Sequence, residues 1–227
     1  MLTFHGKQDL KDQRIAQVRA HRLADQLVKG VYWEDGKGCA VGCTIHSGRH
    51  QDYETELGIP VELAYFEDRI FESLLNGQAM MWPERFLQAI PVGVDLRATH
   101  INKRFVLALL TDKTRGLLPR IKDAKAKQIG EEIADALRKA IKGEAIDLAY
   151  LAYRADLAYR AYRADLAYLA YRADLADLAY LADRAYRADL ADLADRADRA
   201  DLADLAEILL EVLAASTAAS TSVLAAR

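Results

Sequence analysis

Apolar residues recur every third to fifth position along the first part of the chain. The segment 9–30 has an acidic residue near its start and Gly30 at its end, and its apolar positions are Leu10, Ile15, Val18, Leu23 and Leu27. This spacing and these end signals predict a helix.

A second helix is predicted over 59–77. Pro60 suits its first turn, and Asn76 and Gly77 are typical of a helix end. Its apolar face consists of Leu63, Phe66, Ile70, Phe71 and Leu74. The charged run Glu67, Asp68 and Glu72 could do acid–base work, but such a run usually forms the solvated face of an amphipathic helix.

Shorter apolar segments at 82–90 and 100–112 also predict helices, the first with Pro83 near its start. Segment 119–143 is rich in Lys and predicts a longer helix, with Ile121, Ile129, Ile133, Leu137 and Ile141 in register. Segment 31–58 is rich in Gly and irregular, with room for one short helix. Because no stretch alternates convincingly between apolar and polar residues, the predicted fold class is mainly α: a small helical N-terminal domain followed by a long repetitive helical tail.

The tail contains twenty triplets from Asp147 to Ala206, each made of Asp or Tyr, then Leu or Arg, then Ala. These residues favour an α-helix, and 147–227 holds no Gly or Pro. Asp and Arg also stand four residues apart in the stabilising orientation, as in Asp156–Arg160 and Asp192–Arg196. Three residues, however, advance about 300° around an α-helix, so the leucines fall on all sides and no heptad forms.

A period of three matches other structures better. A 3₁₀-helix would sort the triplets into straight columns, although long 3₁₀ runs are uncommon, and it is the main alternative to the α-helix. Polyproline II, disorder and a curled α-helix with Ala on its inner side stay open. In a close-packed form the Ala column would be a packing surface, as represented by Ala167, Ala170, Ala173 and Ala176.

The chain beyond the triplets holds a compact apolar patch formed by Ile208, Leu209, Val212 and Leu213. Exposed apolar patches usually find a partner, and eight of the eleven Tyr lie in the triplets. We therefore expect self-association through the tail, with a solvated spacer as the alternative.

Composition divides the chain into four zones: a globular mainly α domain at 1–116, a basic connecting helix at 117–146, the triplets at 147–206 and the apolar-ended segment 207–227. With 31 basic and 34 acidic residues the charge is nearly balanced, so a nucleic-acid partner is not expected. No signal peptide or membrane-spanning stretch is evident, and two cysteines without a secretion signal favour reduced thiols in the cytoplasm.

One stretch has the chemistry of a site. Cys39, Cys43, His46 and His50 follow the pattern C-x3-C-x2-H-x3-H, and thiolate and imidazole are the ligands that zinc prefers. On a continuous helix Cys39 and His50 would be about 16 Å apart, so a shared zinc ion needs a break in the helix. The simpler interpretation is that the cysteines pack as small apolar groups and no cofactor binds.

A third interpretation makes Cys43 a nucleophile. His46 or His50 would then be its base, oriented by Asp52 or Glu54. The sequence alone leaves these alternatives open.

Residues 31–112 resemble an uncharacterised family of bacterial and phage proteins. The resemblance rests on "VYWEDGKGCAVGCTIHS", "GIPVELAYFEDRIFESL", "WPERFLQAIPVGVDL" and "FVLALLTD". In that family such a domain is joined to an Ala-rich triplet tail, which implies that domain and tail belong together. No activity, cofactor or catalytic residue comes with the resemblance.

These patterns favour a non-enzymatic structural or interaction protein whose triplets mediate self-association or spacing. A metal-binding or Cys-dependent module centred on 39–54 is the first alternative. A phage-borne regulator that binds a host protein is the second.

Overall fold

Eight α-helices make up most of the residues, 1–121, 124–146 and 199–217, that this computed structural model describes. They are α1 (Gln8–Leu23), α2 (Ala40–Ile45), α3 (Asp52–Leu57), α4 (Val61–Ser73), α5 (Asn76–Ala89), α6 (Ile101–Thr111), α7 (Ala124–Ile141) and α8 (Arg199–Ala214). The prediction of a mainly α fold is confirmed for these residues. None of their helices is both long and apolar enough to cross a bilayer.

The described residues belong to two compact units. The first contains 1–99 and 199–217, and the second contains 100–121 and 124–146. These units divide the chain at Thr99, whereas composition suggested a change at 116. Most of the triplets, including Ala167, Ala170, Ala173 and Ala176, lie outside the described residues, so the prediction of their helix type stays a prediction.

A small hairpin interrupts the helices where the sequence suggested irregular chain. Strand β1 (Trp33–Glu34) pairs antiparallel with β2 (Lys37–Gly38). Asp35 and Gly36, at the turn, both have positive φ, 48° and 78°. Asp-Gly is a preferred pair for a two-residue hairpin turn because both positions need positive φ.

The hairpin explains why α1 ends at Leu23 rather than near Gly30. After α1 the chain pairs with β2: the amide of Val28 donates to the carbonyl of Gly38 at 2.8 Å, and the amide of Gly38 donates to the carbonyl of Gln26 at 3.0 Å. This pairing replaces the hydrogen bonds that a longer α1 would have made, and it holds the hairpin beside the end of α1.

The boundary between α4 and α5 differs from the prediction. Helix α4 ends at Ser73, and α5 begins at Asn76 instead of near residue 82. Asn76 and Gly77 therefore start a helix rather than end one, and Pro83 lies inside α5.

Charged contacts join α1 to α5. Arg19 and Arg22 of α1 both pair with Glu84 of α5, at 2.6 and 3.4 Å. The ammonium of Lys11 donates to the carbonyls of Gln88 and Ile90 at the end of α5. Together they hold α1 alongside α5.

Helix α8 completes the first unit by packing against α4 and α5. Its buried residues are Leu205, Ala206, Ile208, Leu209, Leu210 and Leu213. Three residues of the predicted apolar patch, Ile208, Leu209 and Leu213, are thus covered by the chain's own helices, whereas we expected a second copy to cover them; Val212 is half-buried. The apolar spacing required a partner surface, and α4 and α5 supply one.

The second unit is built on a pair of helices. Helices α6 and α7 pack together around a core of Val106, Leu110, Leu118, Ile129, Ile133, Ala134 and Leu137. Three of the five apolar positions predicted for 119–143 belong to this core. The segment predicted as a connecting helix is therefore one half of a helical pair.

Candidate functional site

Both cysteines are buried where β2 leads into α2. Cys39 immediately precedes α2 and Cys43 lies within it, and both are free thiols. The Cys43 thiol donates to the carbonyl of Gly38 at 3.3 Å. Burial raises the pKa of Cys43 to about 12. Burial also raises the pKa of Cys39 well above its ordinary value, and the nearby Asp68 carboxylate raises it further.

Gly42 determines how closely α2 approaches the hairpin. A Cβ atom at this position would lie 1.6 Å from the carbonyl oxygen of Tyr32. Only a residue without a side chain allows this contact, which places α2 directly on the backbone before β1. Helix α2 continues through Gly42 and ends at Ile45, with His46 as its C-terminal cap.

His50 is enclosed by aromatic rings and a carboxylate. Its ring stacks on Tyr65 of α4 at 4.4 Å and meets the edge of Tyr32 at 5.5 Å. Its Nε2 atom lies 3.2 Å from Oδ2 of Asp68, and both side chains are buried. Asp68 thus lies close to both Cys39 and His50.

The acidic run of α4 is not a solvated face. Glu67 is completely buried and Asp68 nearly so. Tyr53 donates its hydroxyl to Oε2 of Glu67, while Oε1 of Glu67 and Oδ1 of Asp68 have no hydrogen-bond partner among the described residues. Burial raises the pKa of Glu67 well above its ordinary value, and Asp68 raises it further, whereas the Tyr53 bond lowers it.

His46 lies in a separate group with His21. The Nε2 atoms of the two rings are 2.8 Å apart, and Nδ1 of His21 is 2.8 Å from Oε1 of Gln26. Trp33 of β1 stacks on the His46 ring with centroids 4.5 Å apart and an interplanar angle of 14°. Loss of hydration lowers the pKa of His46, and the nearby His21 and Arg14 lower it further.

The structure does not gather the four predicted zinc ligands. Cys39 and His50 share Asp68, Cys43 faces backbone carbonyls, and His46 pairs with His21. Within the described parts of the chain, no three His, Cys, Asp or Glu side chains converge to form a metal site with three or more protein ligands. The break in the helix does occur, at His46, but it separates the ligands instead of bringing them together.

The nucleophile interpretation also differs from the geometry. Asp52 accepts a hydrogen bond from Ser47 and pairs with Arg49, and Glu54 pairs with Arg97. Neither orients a histidine. The carboxylate that does contact His50 is Asp68, which sequence analysis assigned to a solvated face.

The sequence contained enough information to predict the burial of Glu67 and Asp68, but not the contact made by His21. Glu67 and Asp68 stand four residues after Leu63 and Ala64, which places them on the buried stripe of α4. His21 gave no comparable signal, because it is 25 positions from its partner His46.

Comparisons with protein-family models, curated proteins and solved structures found no match to this chain. The resemblance to a phage and bacterial family therefore stays a prediction.

Proposed function

We propose that this chain is a non-enzymatic structural or interaction protein in which the triplet segment is a self-association or spacing element held between folded parts. The observation that carries the proposal is the packing of α8, which begins within the last triplets and buries its apolar face against α4 and α5. Helix α7, before the triplets, is packed against α6 in the same way. The triplet segment is thus joined to packed helices on both sides, which suits a spacer or an assembly surface better than a free extension.

The packing of α8 changes which surface would join two copies. Ile208, Leu209 and Leu213 are covered within the chain. The triplets then offer the Ala column and the eight Tyr. Tyr is enriched in protein interfaces because it combines a large apolar ring with a polar end.

Cysteine chemistry has less support. A nucleophilic thiol needs a lowered pKa and partial exposure, whereas burial raises the pKa of Cys39 and of Cys43. The nearest carboxylate, Asp68, opposes ionisation of Cys39 instead of promoting it.

Replacement of 147–198 by a Gly/Ser-rich linker of equal length tests the proposal. The linker keeps α8 attached to the chain and removes all triplets except those that belong to α8. We expect the full chain to have a molar mass of more than one copy by light scattering, and the linker chain to be monomeric. Both chains should unfold at the same denaturant concentration, since the described units are unchanged.

Equal molar masses would reject self-association. Small-angle X-ray scattering then decides on spacing, because a stiff spacer gives the full chain a larger maximum dimension than a flexible linker does. Equal mass together with equal dimension would contradict the whole proposal.

A further inference from the structure

The rings of His21 and His46 approach each other through their Nε2 atoms. These atoms are 2.8 Å apart, and the ring planes are nearly perpendicular, with an angle of 85°. Two neutral imidazoles can make this contact only if one Nε2 carries a proton and the other presents a lone pair.

Gln26 indicates which ring presents the lone pair. Its Oε1 atom accepts only, so Nδ1 of His21 at 2.8 Å is the protonated nitrogen. Nε2 of neutral His21 is then an acceptor, and the proton between the rings belongs to His46. If that proton leaves Nε2 and another joins Nδ1 of His46, both Nε2 atoms present lone pairs to each other without a net change in protonation. A zinc ion with bonds of about 2.0–2.1 Å to both atoms needs them roughly 3.3 Å apart, so the rings separate by about 0.5 Å when the ion binds.

The surrounding structure holds both rings in position. His21 lies in the last turn of α1, and its ring meets Trp33 edge-on at 5.5 Å. His46 has a left-handed backbone conformation at the end of α2, with φ 52° and ψ 39°, and its ring is stacked on Trp33. His46 is nevertheless exposed, so an ion can reach the pair from solvent.

The arrangement has the components of a metal site with two protein ligands. Metal-binding histidines usually donate their second ring nitrogen to an oxygen atom, as His21 does to Gln26. Arg14, a cation that acts on His46, is paired with Glu56 at 2.9 Å, which offsets its repulsion of a metal ion.

We propose that His21 and His46 form a binding site for a divalent transition-metal ion, with water in the remaining coordination positions and Zn²⁺ as the ion used to test it. Imidazole nitrogen suits Zn²⁺, Cu²⁺ and Ni²⁺, and does not suit Mg²⁺ or Ca²⁺. The site uses neither cysteine, and it is independent of the proposed role of the triplets.

The test is a titration of the full chain with Zn²⁺ after removal of bound metal by a chelator, with a chromophoric zinc indicator as competitor. We expect one Zn²⁺ per chain and no competition from Mg²⁺. His46→Asn should lower the affinity for Zn²⁺ by at least about tenfold. Loss of a residue that only hydrogen-bonds to a metal ligand already costs roughly tenfold in affinity, and this variant removes a ligand itself. Asn tolerates the left-handed conformation, so the backbone should be retained.

His100→Asn is the matched control. His100 also has positive φ, 55°, so this variant removes one histidine from the same kind of backbone position. It should bind Zn²⁺ as the wild type does. Equal affinity in His46→Asn and wild type, or no saturable binding by the wild type, would overturn the proposal.

A second measurement needs no variant. Long-range proton–nitrogen spectra of histidine rings report the Nε2 atoms of the wild-type chain directly. Addition of Zn²⁺ should shift the Nε2 signals of His21 and His46 together. If both signals stay in place while Zn²⁺ binds, the ion is bound elsewhere and the assignment is wrong.

Discussion

Arg85 of α5 and Glu207 of α8 form a two-point ion pair, in which Nη1 and Nη2 of the guanidinium each lie 2.8 Å from one carboxylate oxygen. The pair joins residues 122 positions apart. Both side chains are nearly half exposed, so solvent weakens the attraction, and the contact mainly sets the register of α8 on α5. The energy that holds α8 comes from its buried apolar residues.

Truncation of the buried face of α8 should therefore destabilise the first unit far more than loss of the ion pair. Leu209 is completely buried, and Leu209→Ala should lower the free energy of unfolding by about 2–5 kcal/mol. Arg85→Ala should cost less than about 1 kcal/mol. Urea unfolding followed by the fluorescence of Trp82, which is buried in α5, measures both. Equal losses would show that the packing of α8 contributes little.

Glu67 should make stability depend on pH. Its folded-state pKa is raised above the ordinary value of 4.5, so between these two values the unfolded chain binds fewer protons than the native one. Stability then falls as pH rises through this window, by at most about 1.4 kcal/mol per pH unit. Glu67→Gln imitates the protonated form and should flatten this slope, with a gain in stability at neutral pH and little change near pH 4.5.

Exposed Glu34 provides the control for that experiment. Glu34→Gln should keep the wild-type slope when the free energy of unfolding is measured across the same pH range. A wild-type slope in Glu67→Gln as well would mean that the buried carboxyl is not the group responsible.

Two glycine substitutions should have opposite effects. Gly42→Ala would place a methyl group 1.6 Å from the backbone oxygen of Tyr32, so α2 must shift, at a cost of about 3 kcal/mol or more. Gly77 lies in the first turn of α5 with no atom within 4 Å of the new methyl group. Gly77→Ala should stabilise the chain by roughly 0.5–1 kcal/mol. Thermal unfolding compares the pair, and tolerance of Gly42→Ala would contradict the close approach of α2.

The cysteines should be nearly inert in the folded chain. With a pKa of about 12, roughly one in ten thousand Cys43 thiols is ionised at pH 8, against roughly a quarter of ordinary thiols. Iodoacetamide should label neither cysteine in the native protein and both after denaturation, as counted by mass spectrometry. Fast labelling of one cysteine in the native state would restore the nucleophile interpretation.

The helices could be predicted from the sequence because the spacing of their apolar residues is a local property. Ile129, Ile133 and Leu137 were placed correctly on the buried face of α7. The hairpin was missed because two-residue strands are too short to show alternation, although Asp35 and Gly36 carried a turn signal. That turn sets Trp33 beside His46, so the histidine group could not be assembled without it.

The sequence pattern could not predict which residues contact the buried groups. The spacing of Ile208 and Leu209 indicated that α8 packs against another surface, but the helices that form this surface, α4 and α5, lie more than a hundred positions earlier in the sequence. His21 and His46 likewise meet only after α1 and α2 pack together. Asp68 could have been assigned correctly, because its buried position follows from its spacing after Ala64.

The place of α8 in the chain also governs how the protein is made. The end of α5 is synthesised roughly 110 residues before the start of α8, which corresponds to about 5–20 s of translation. Throughout that interval the surface of α4 and α5 that α8 will cover is open to chaperones and to the α8 helix of a neighbouring nascent chain. The first unit can therefore complete its folding only after the triplets have been translated, and every added triplet lengthens the interval between synthesis of α5 and synthesis of α8.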